Sequence, residues 1–249
     1  MLTTFVLIHG GWHASWCWIR VADALEKKGC RVIAPDLPGH GTEATPLSDR
    51  PYEMYVPSVC GVLDNLPDRA ILVGHSSGGM IITEAFRRKS ARIQSLVYLS
   101  AFLLPPGKTP RDVMSMDTES MLPGCLEIDA GKGVSRIRPE CARPVFYGDC
   151  SEADSLWAIG QLQPEPLIPP AAPISESAYQ PLTRPCRFYI ECLQDRALGL
   201  RMQRWMYTES LCDAVYSLPT SHSPFLSAPT TLAECLLEIA ERSAEKAEV

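Results

Sequence analysis

The stretch "ILVGHSSGGM", Ile71 to Met80, runs from apolar residues into a cluster of glycine, histidine and serine and then turns apolar again. Gly74-His75-Ser76-Ser77-Gly78 has the spacing Gly-x-Ser-x-Gly, and its setting carries more weight than its letters. Ala70 to Val73 reads as a strand covered on both faces, and Met80 to Lys89 as a helix. A sharp strand-to-helix turn holds its central residue in a strained conformation with the side chain projecting, so the flanking positions must be small. Gly74, Gly78 and Gly79 satisfy that requirement. Ser76 is therefore the candidate nucleophile, and Ser77 offers its backbone N–H, at the helix start, to a developing oxyanion. A Walker-type phosphate loop does not fit, because no lysine follows the glycines.

A serine hydroxyl is a weak nucleophile near neutral pH and needs a base oriented by an acid. Of the five histidines, His9 and His13 flank the first loop, His40 lies in "DLPGHG" and His75 is inside the turn. That leaves His222, in "LPTSHSPF" directly after the last expected strand, as the base. The acid should follow another strand between Ser76 and His222, and Asp195 in "ECLQDRAL" does so. Glu191 falls within that strand and Asp213 at the start of the next, while Ser100, Ala101 and Phe102 after the strand Ile93 to Leu99 offer no carboxylate. A second oxyanion donor is expected from the loop His9-Gly10-Gly11-Trp12, and the Gly11 N–H is the candidate.

Outward from these motifs, short apolar runs recur at Phe5 to Ile8, Arg31 to Ala34, Ala70 to Val73, Ile93 to Leu99, Cys186 to Ile190 and Ala214 to Leu218. Helical stripes lie between them, such as Trp18, Val21, Ala22 and Leu25, or Leu232, Cys235, Leu236 and Ile239. Alternation of this kind predicts an α/β fold with a mostly parallel six-stranded sheet flanked by helices. The rhythm breaks after Leu104. Residues 105–183 carry prolines, notably "QPEPLIPPAAP" from Gln163 to Pro173, together with Phe146, Tyr147, Leu156 and Trp157. They read as a cap, partly helical and partly extended, inserted in a core domain formed by residues 1–104 and 184–249.

The formal net charge of -6 and a pI near 5.4 give no electrostatic footprint for nucleic acid. No basic leader with a cleavable apolar stretch precedes Phe5, and no apolar run approaches bilayer length, so a cytoplasmic protein without membrane association is expected. The ten cysteines show no C-x-x-C pair, which favours reduced thiols over disulfides and gives no metal site. A homodimer is compatible with the sequence.

Taken in order, "FVLIHGGWHASWCW", "APDLPGHG", "GHSSGG", "YIECLQDRA" and "SHSPFLSAP" resemble the α/β-hydrolase superfamily, in the branch of plant methylesterases, hydroxynitrile lyases and bacterial esterases such as pyrethroid hydrolases. The likeness covers residues 3–104 and 184–240 and is looser in the cap. It implies Ser76, His222 and Asp195 as catalytic triad and the amides of Gly11 and Ser77 as oxyanion hole. Plant hydroxynitrile lyases carry a threonine after the loop histidine and a lysine after the catalytic histidine; here Gly10 and Ser223 stand there. The expectation is a cofactor-free serine hydrolase acting through an acyl-enzyme on small esters with apolar or aromatic groups. Trp12, Phe102, Phe146, Trp157 and Phe225 are the candidate pocket residues. A cyclase, thioesterase or C–C bond-cleaving enzyme on the same triad, or a non-catalytic ligand receptor, remain as alternatives.

Overall fold

A computed structural model describes residues 2–42, 51–167 and 186–247. Four strands precede residue 105: β1 (Thr4–Ile8), β2 (Arg31–Ile33), β3 (Ala70–His75) and β4 (Ile93–Leu99). Three short ones follow, β5 (Leu126–Asp129), β6 (Val134–Ile137) and β7 (Glu165–Pro166), and they form a separate antiparallel sheet. The chain then returns through β8 (Cys186–Cys192) and β9 (Ala214–Leu218). β1, β2, β3, β4, β8 and β9 make one six-stranded sheet in the order β2-β1-β3-β4-β8-β9, every pair parallel. All six strands lie where the apolar runs predict.

Both faces of this sheet are covered at its centre, which explains why β1 and β3 are buried at every position, whereas the edge strand β9 alternates. Phe5, Leu7, Ile71, Val73, Val97 and Leu99 belong to one buried cluster, together with residues of the helices α1 (Ile19–Glu26) and α9 (Pro229–Ala247). Val6, Ile8, Leu72, Leu96 and Tyr98 point the other way, toward α2 (Pro51–Asp64), α3 (Gly78–Lys89) and α7 (Leu200–Glu209). Trp18, Val21 and Leu25, and likewise Leu232, Leu236 and Ile239, are buried as their helical spacing requires.

Within residues 105–167 lie α4 (Pro110–Met116), α5 (Pro139–Phe146), α6 (Glu152–Gln161) and the small sheet. Thr109 and Asp112 close a reciprocal capping box at the start of α4, and Ser151 caps α6 through the Asp154 amide. The rest of the proline-rich stretch, residues 168–173, lies outside the described residues. α8 (Pro224–Ser227) is a single turn after β9. Among the described residues no helix is long and apolar enough to cross a membrane.

Candidate active site

The carboxyl ends of β1, β3, β4, β8 and β9 gather the candidate residues at one rim of the sheet, as parallel topology dictates. Ser76 follows β3 directly with φ +54, in the left-handed region that a residue with a Cβ rarely adopts. Its carbonyl accepts from the amides of Gly79 and Phe102 at 3.1 and 3.0 Å, and its own amide donates to Leu99 O at 3.3 Å. The strain is thus held from the end of β4 and from the first turn of α3. Glycine is required beside it: a Cβ on Gly74 would stand 2.6 Å from Gly78 O, and one on Gly10 would stand 2.7 Å from the Ser76 Cβ. Ser76 and Ser77 are nevertheless partly exposed within a buried surrounding, so a small molecule can reach them.

Asp195 and His222 are brought together from loops 27 positions apart, with His222 Nδ1 2.6 Å from Asp195 Oδ2 and both side chains almost fully buried. The carboxylate is saturated with donors. Oδ1 accepts from the Ala197 and Leu198 amides at 2.7 and 2.9 Å, while Oδ2 also accepts from Ser100 Oγ and, at 3.4 Å, from Gln203 Nε2. A carboxylate so surrounded keeps one orientation and fixes the imidazole proton on Nδ1, leaving Nε2 free to act as a base. His75 Nε2–H donates to the His222 carbonyl at 2.9 Å, and the two rings lie 4.4 Å apart between centroids. Burial, and then the neighbouring His222, push the His75 pKa well below its usual value, so His75 serves as a neutral donor. From the other side Ser221 Oγ donates to Asp149 Oδ1 and to Phe146 O, tying the approach to His222 to the α5–α6 connection.

The first loop is held with equal care. His9 Nδ1–H donates to Gly10 O at 2.9 Å and His9 Nε2 accepts from the Leu37 amide at 3.1 Å. His13 Nδ1–H donates to Gly11 O at 2.8 Å, and its Nε2 accepts from Tyr147 OH at 2.9 Å. Each ring thus uses one donor and one acceptor, the pattern of a neutral imidazole, and burial pulls both pKa values down to about 3. With these carbonyls fixed, the Gly11 and Ser77 amides have no acceptor among the described residues. Two free N–H groups flanking a projecting serine are what an oxyanion hole requires.

Phe146 packs on Trp12 (centroids 6.0 Å apart) and on His222 (5.6 Å), between the two halves of the site. Phe102 is half-buried, with its amide on Ser76. Phe225 is fully buried beneath the site, edge-on to His75 and His13 and tilted against Trp18. Trp157 stands on α6 against Trp16 and is 44% exposed. A cleft of about 570 Å³ opens on the outer side of the Asp195 loop, bounded by Pro144, Gly148, Gln194 and Ser221, and Ser76 is not part of its lining. Glu191, set aside above because it lies within a strand, is buried against Arg204, Tyr207 and Ser217, and Asp213 binds the Arg187 amide and Lys246.

The family model for the alpha/beta hydrolase family matches residues 5–235. The chain belongs to this family. Among curated members, a pyrethroid hydrolase of Sphingobium wenxiniae is 34% identical, with 98% of this chain and 90% of that protein covered. Methylesterase 1 of Arabidopsis thaliana is 28% identical over 96% of each chain. Among solved structures, a pyrethroid hydrolase from Sphingobium faniae superimposes with a TM-score of 0.84 at 32% identity, covering 98% of this chain and 100% of that one. Membership accounts for the parallel sheet and for the strand-to-helix turn at Ser76.

Ser100, Gln203, His75 and Ser221 escaped the sequence reading as contributors to the site. In the sequence Ser100 reads only as a position without a carboxylate. Ser100 stands at φ +39 with its amide on Ile190 O, a backbone state that no residue pattern around it announces.

Proposed function

We propose that this carboxylesterase-type hydrolase cleaves carboxylic esters of small apolar or aromatic molecules through Ser76, His222 and Asp195. Ser76 Oγ attacks the ester carbonyl while His222 Nε2 takes its proton and passes it to the leaving alcohol, which departs from the acyl-enzyme. Water, deprotonated by the same histidine, then releases the acid and restores the serine. Asp195 stabilises the imidazolium formed in each half, and the Gly11 and Ser77 amides receive the oxyanion, each worth about 3 kcal/mol of barrier.

The observation that carries this reading is the 2.6 Å His222–Asp195 contact, buried and donor-saturated, next to a serine held at positive φ. The apolar preference is supported by Phe146 and Trp12, whose rings border the site. At residue 10, a side chain would collide with the Ser76 Cβ in this backbone, which supports hydrolysis over chemistry that needs a hydroxyl there. Membership of the family and the named relatives support ester cleavage in general, and the choice of ester rests on the ring geometry.

Hydrolysis of a short p-nitrophenyl ester tests the mechanism. Ser76→Ala is expected to lower kcat by about 10⁴-fold or more. A fluorophosphonate should label the peptide at Ser76 and not at Ser77. Full turnover by the alanine variant, or label on Ser77, refutes the assignment.

A further inference from the structure

Glu165 is a carboxylate buried to 5% exposure in a segment flanked by prolines, and the mechanism above gives it no task. Its Oε2 accepts from the Trp12 amide at 2.9 Å and lies 2.9 Å from His40 Nε2, while Tyr55 OH reaches Oε1 at 3.3 Å. His40 is wholly buried and its Nδ1 is 3.3 Å from the same Tyr55 hydroxyl. An unpaired carboxylate in such a place would be strongly disfavoured, so the Trp12 amide and the Tyr55 phenol, with the His40 imidazole at ion-pair distance though not aligned for a hydrogen bond, are what allow it to stay. The side chain also abuts the oxyanion loop: a Cβ on Gly11 would meet its Cγ, Cδ and Oε2 at 3.5 Å.

What the carboxylate holds is a strained peptide. Trp12 sits at φ +62, a conformation that costs a residue with a side chain and persists only where its surroundings enforce it. The peptide before Gly11 is oriented by His9 through Gly10 O. The peptide after it is gripped at both ends, by His13 on Gly11 O and by Glu165 on the Trp12 amide. The same segment takes the other side of Trp12, since the Gln163 amide donates to Trp12 O at 2.9 Å and Gln163 Oε1 accepts from the Gly41 amide at 2.6 Å. β7, which begins at Glu165, is itself paired to β6 through Ser135 and Val134.

We propose that Glu165, seated on His40 and Tyr55, is a positioning residue that sets the oxyanion hole by clamping the Trp12 amide and so aiming the Gly11 N–H. The inference rests on the serine-hydrolase reading. Without the clamp Trp12 relaxes toward negative φ and the Gly11–Trp12 peptide turns. Gly11, whose own N–H lies in the preceding peptide held by His9, then loses its fixed anchor on the C-terminal side and shifts, so the transition state loses a well-placed donor while the bound ester loses little.

The test compares Glu165→Ala and Glu165→Gln with the parent in steady-state ester hydrolysis, normalised to sites titrated by fluorophosphonate. Affinity for a trifluoromethyl ketone, which forms a tetrahedral adduct, is measured in parallel. Glu165→Ala should lower kcat about 100-fold with KM within about threefold, the size expected for one oxyanion donor. Ketone affinity should fall in step. Glu165→Gln keeps an acceptor for the Trp12 amide and should recover to within about tenfold of the parent. If the alanine variant does not fold, Glu165→Asp replaces it, because the shorter acid keeps the charge and cannot reach the amide. Parental kcat and ketone affinity in the alanine variant, or in the aspartate variant that replaces it, overturn the inference, as does a loss confined to the melting temperature. Failure of the parent itself to be labelled at Ser76 overturns the serine mechanism instead, which keeps the two failures apart.

Discussion

The two sides of the site are built in different ways. On the acid–base side, Asp195 and His222 follow adjacent strands, and their supports, Ser100, Gln203 and His75, come from the same sheet and its helices. On the oxyanion side, the loop after β1 takes its supports from near and far. His9 and His13 are its own residues, whereas Glu165 reaches Trp12 from 153 positions away. The strand ends of a parallel sheet are fixed by the core, so the acid–base half comes with the fold. The proposed oxyanion half takes one of its supports, Glu165, from the stretch 105–167.

The largest effect should strike the acid–base half. Asp195→Asn leaves the shape of the site but places the imidazole proton on the wrong nitrogen, and kcat should fall about 10⁴-fold with little change in KM, measured on the p-nitrophenyl ester. Retained activity would mean that His222 is oriented by something other than Asp195.

Acid should undo both halves together. His9, His13 and His75 are held neutral, with pKa values pulled down to about 3 for the first two and well below normal for the third. Unfolded, each binds a proton below its ordinary 6.5. The unfolded chain therefore carries up to three more protons than the native one, and stability is lost as pH falls from about 6.5 toward 3. The slope at its steepest is about 4 kcal/mol per pH unit. Urea unfolding across that range checks it, and a flat profile would show that these rings take up protons without unfolding.

Gly10→Ala probes the contact between the halves. Its Cβ would stand 2.7 Å from the Ser76 Cβ and 3.0 Å from His75 Nδ1, so about 1–3 kcal/mol of stability should be lost by overpacking, with a drop in kcat. An unchanged melting temperature would show a looser junction than the close packing implies. Ser100→Ala removes one of five donors to Asp195 and should cost about tenfold in kcat, consistent with a hydrogen bond to a charged group. The smallest effect belongs to the surface pair Arg20–Asp154, which joins α1 to α6. Arg20→Ala should change stability by less than about 1 kcal/mol and leave kcat alone, because exposed pairs are screened by solvent. A larger activity loss would mean that this pair, and not the clamp at Glu165, aligns the insertion.

Much of this protein is written locally. Six apolar runs became six strands because a strand covered on both faces has no polar side, and the order Ser76, Asp195, His222 follows from which strand ends lie at the sheet's carboxyl rim. The turn at Ser76 was legible because it requires glycines at fixed offsets, and Glu191 and Asp213 could be set aside because strand register turns them from the rim. The supports were not legible. Ser100 and His75 gain their roles from neighbours on other strands, and Glu165 lies between prolines in a stretch that reads only as part of a partly helical, partly extended cap.

Sequence alone thus determined the sheet, the sharp turn at Ser76 and the candidate residues gathered around it, since these depend on periodicity and on small residues at short spacing. Only the tertiary structure decided which polar groups hold those residues still. A buried donor or acceptor needs a partner across space, and the distance along the chain between Trp12 and Glu165 carries no trace of the 2.9 Å that separates them in the folded protein.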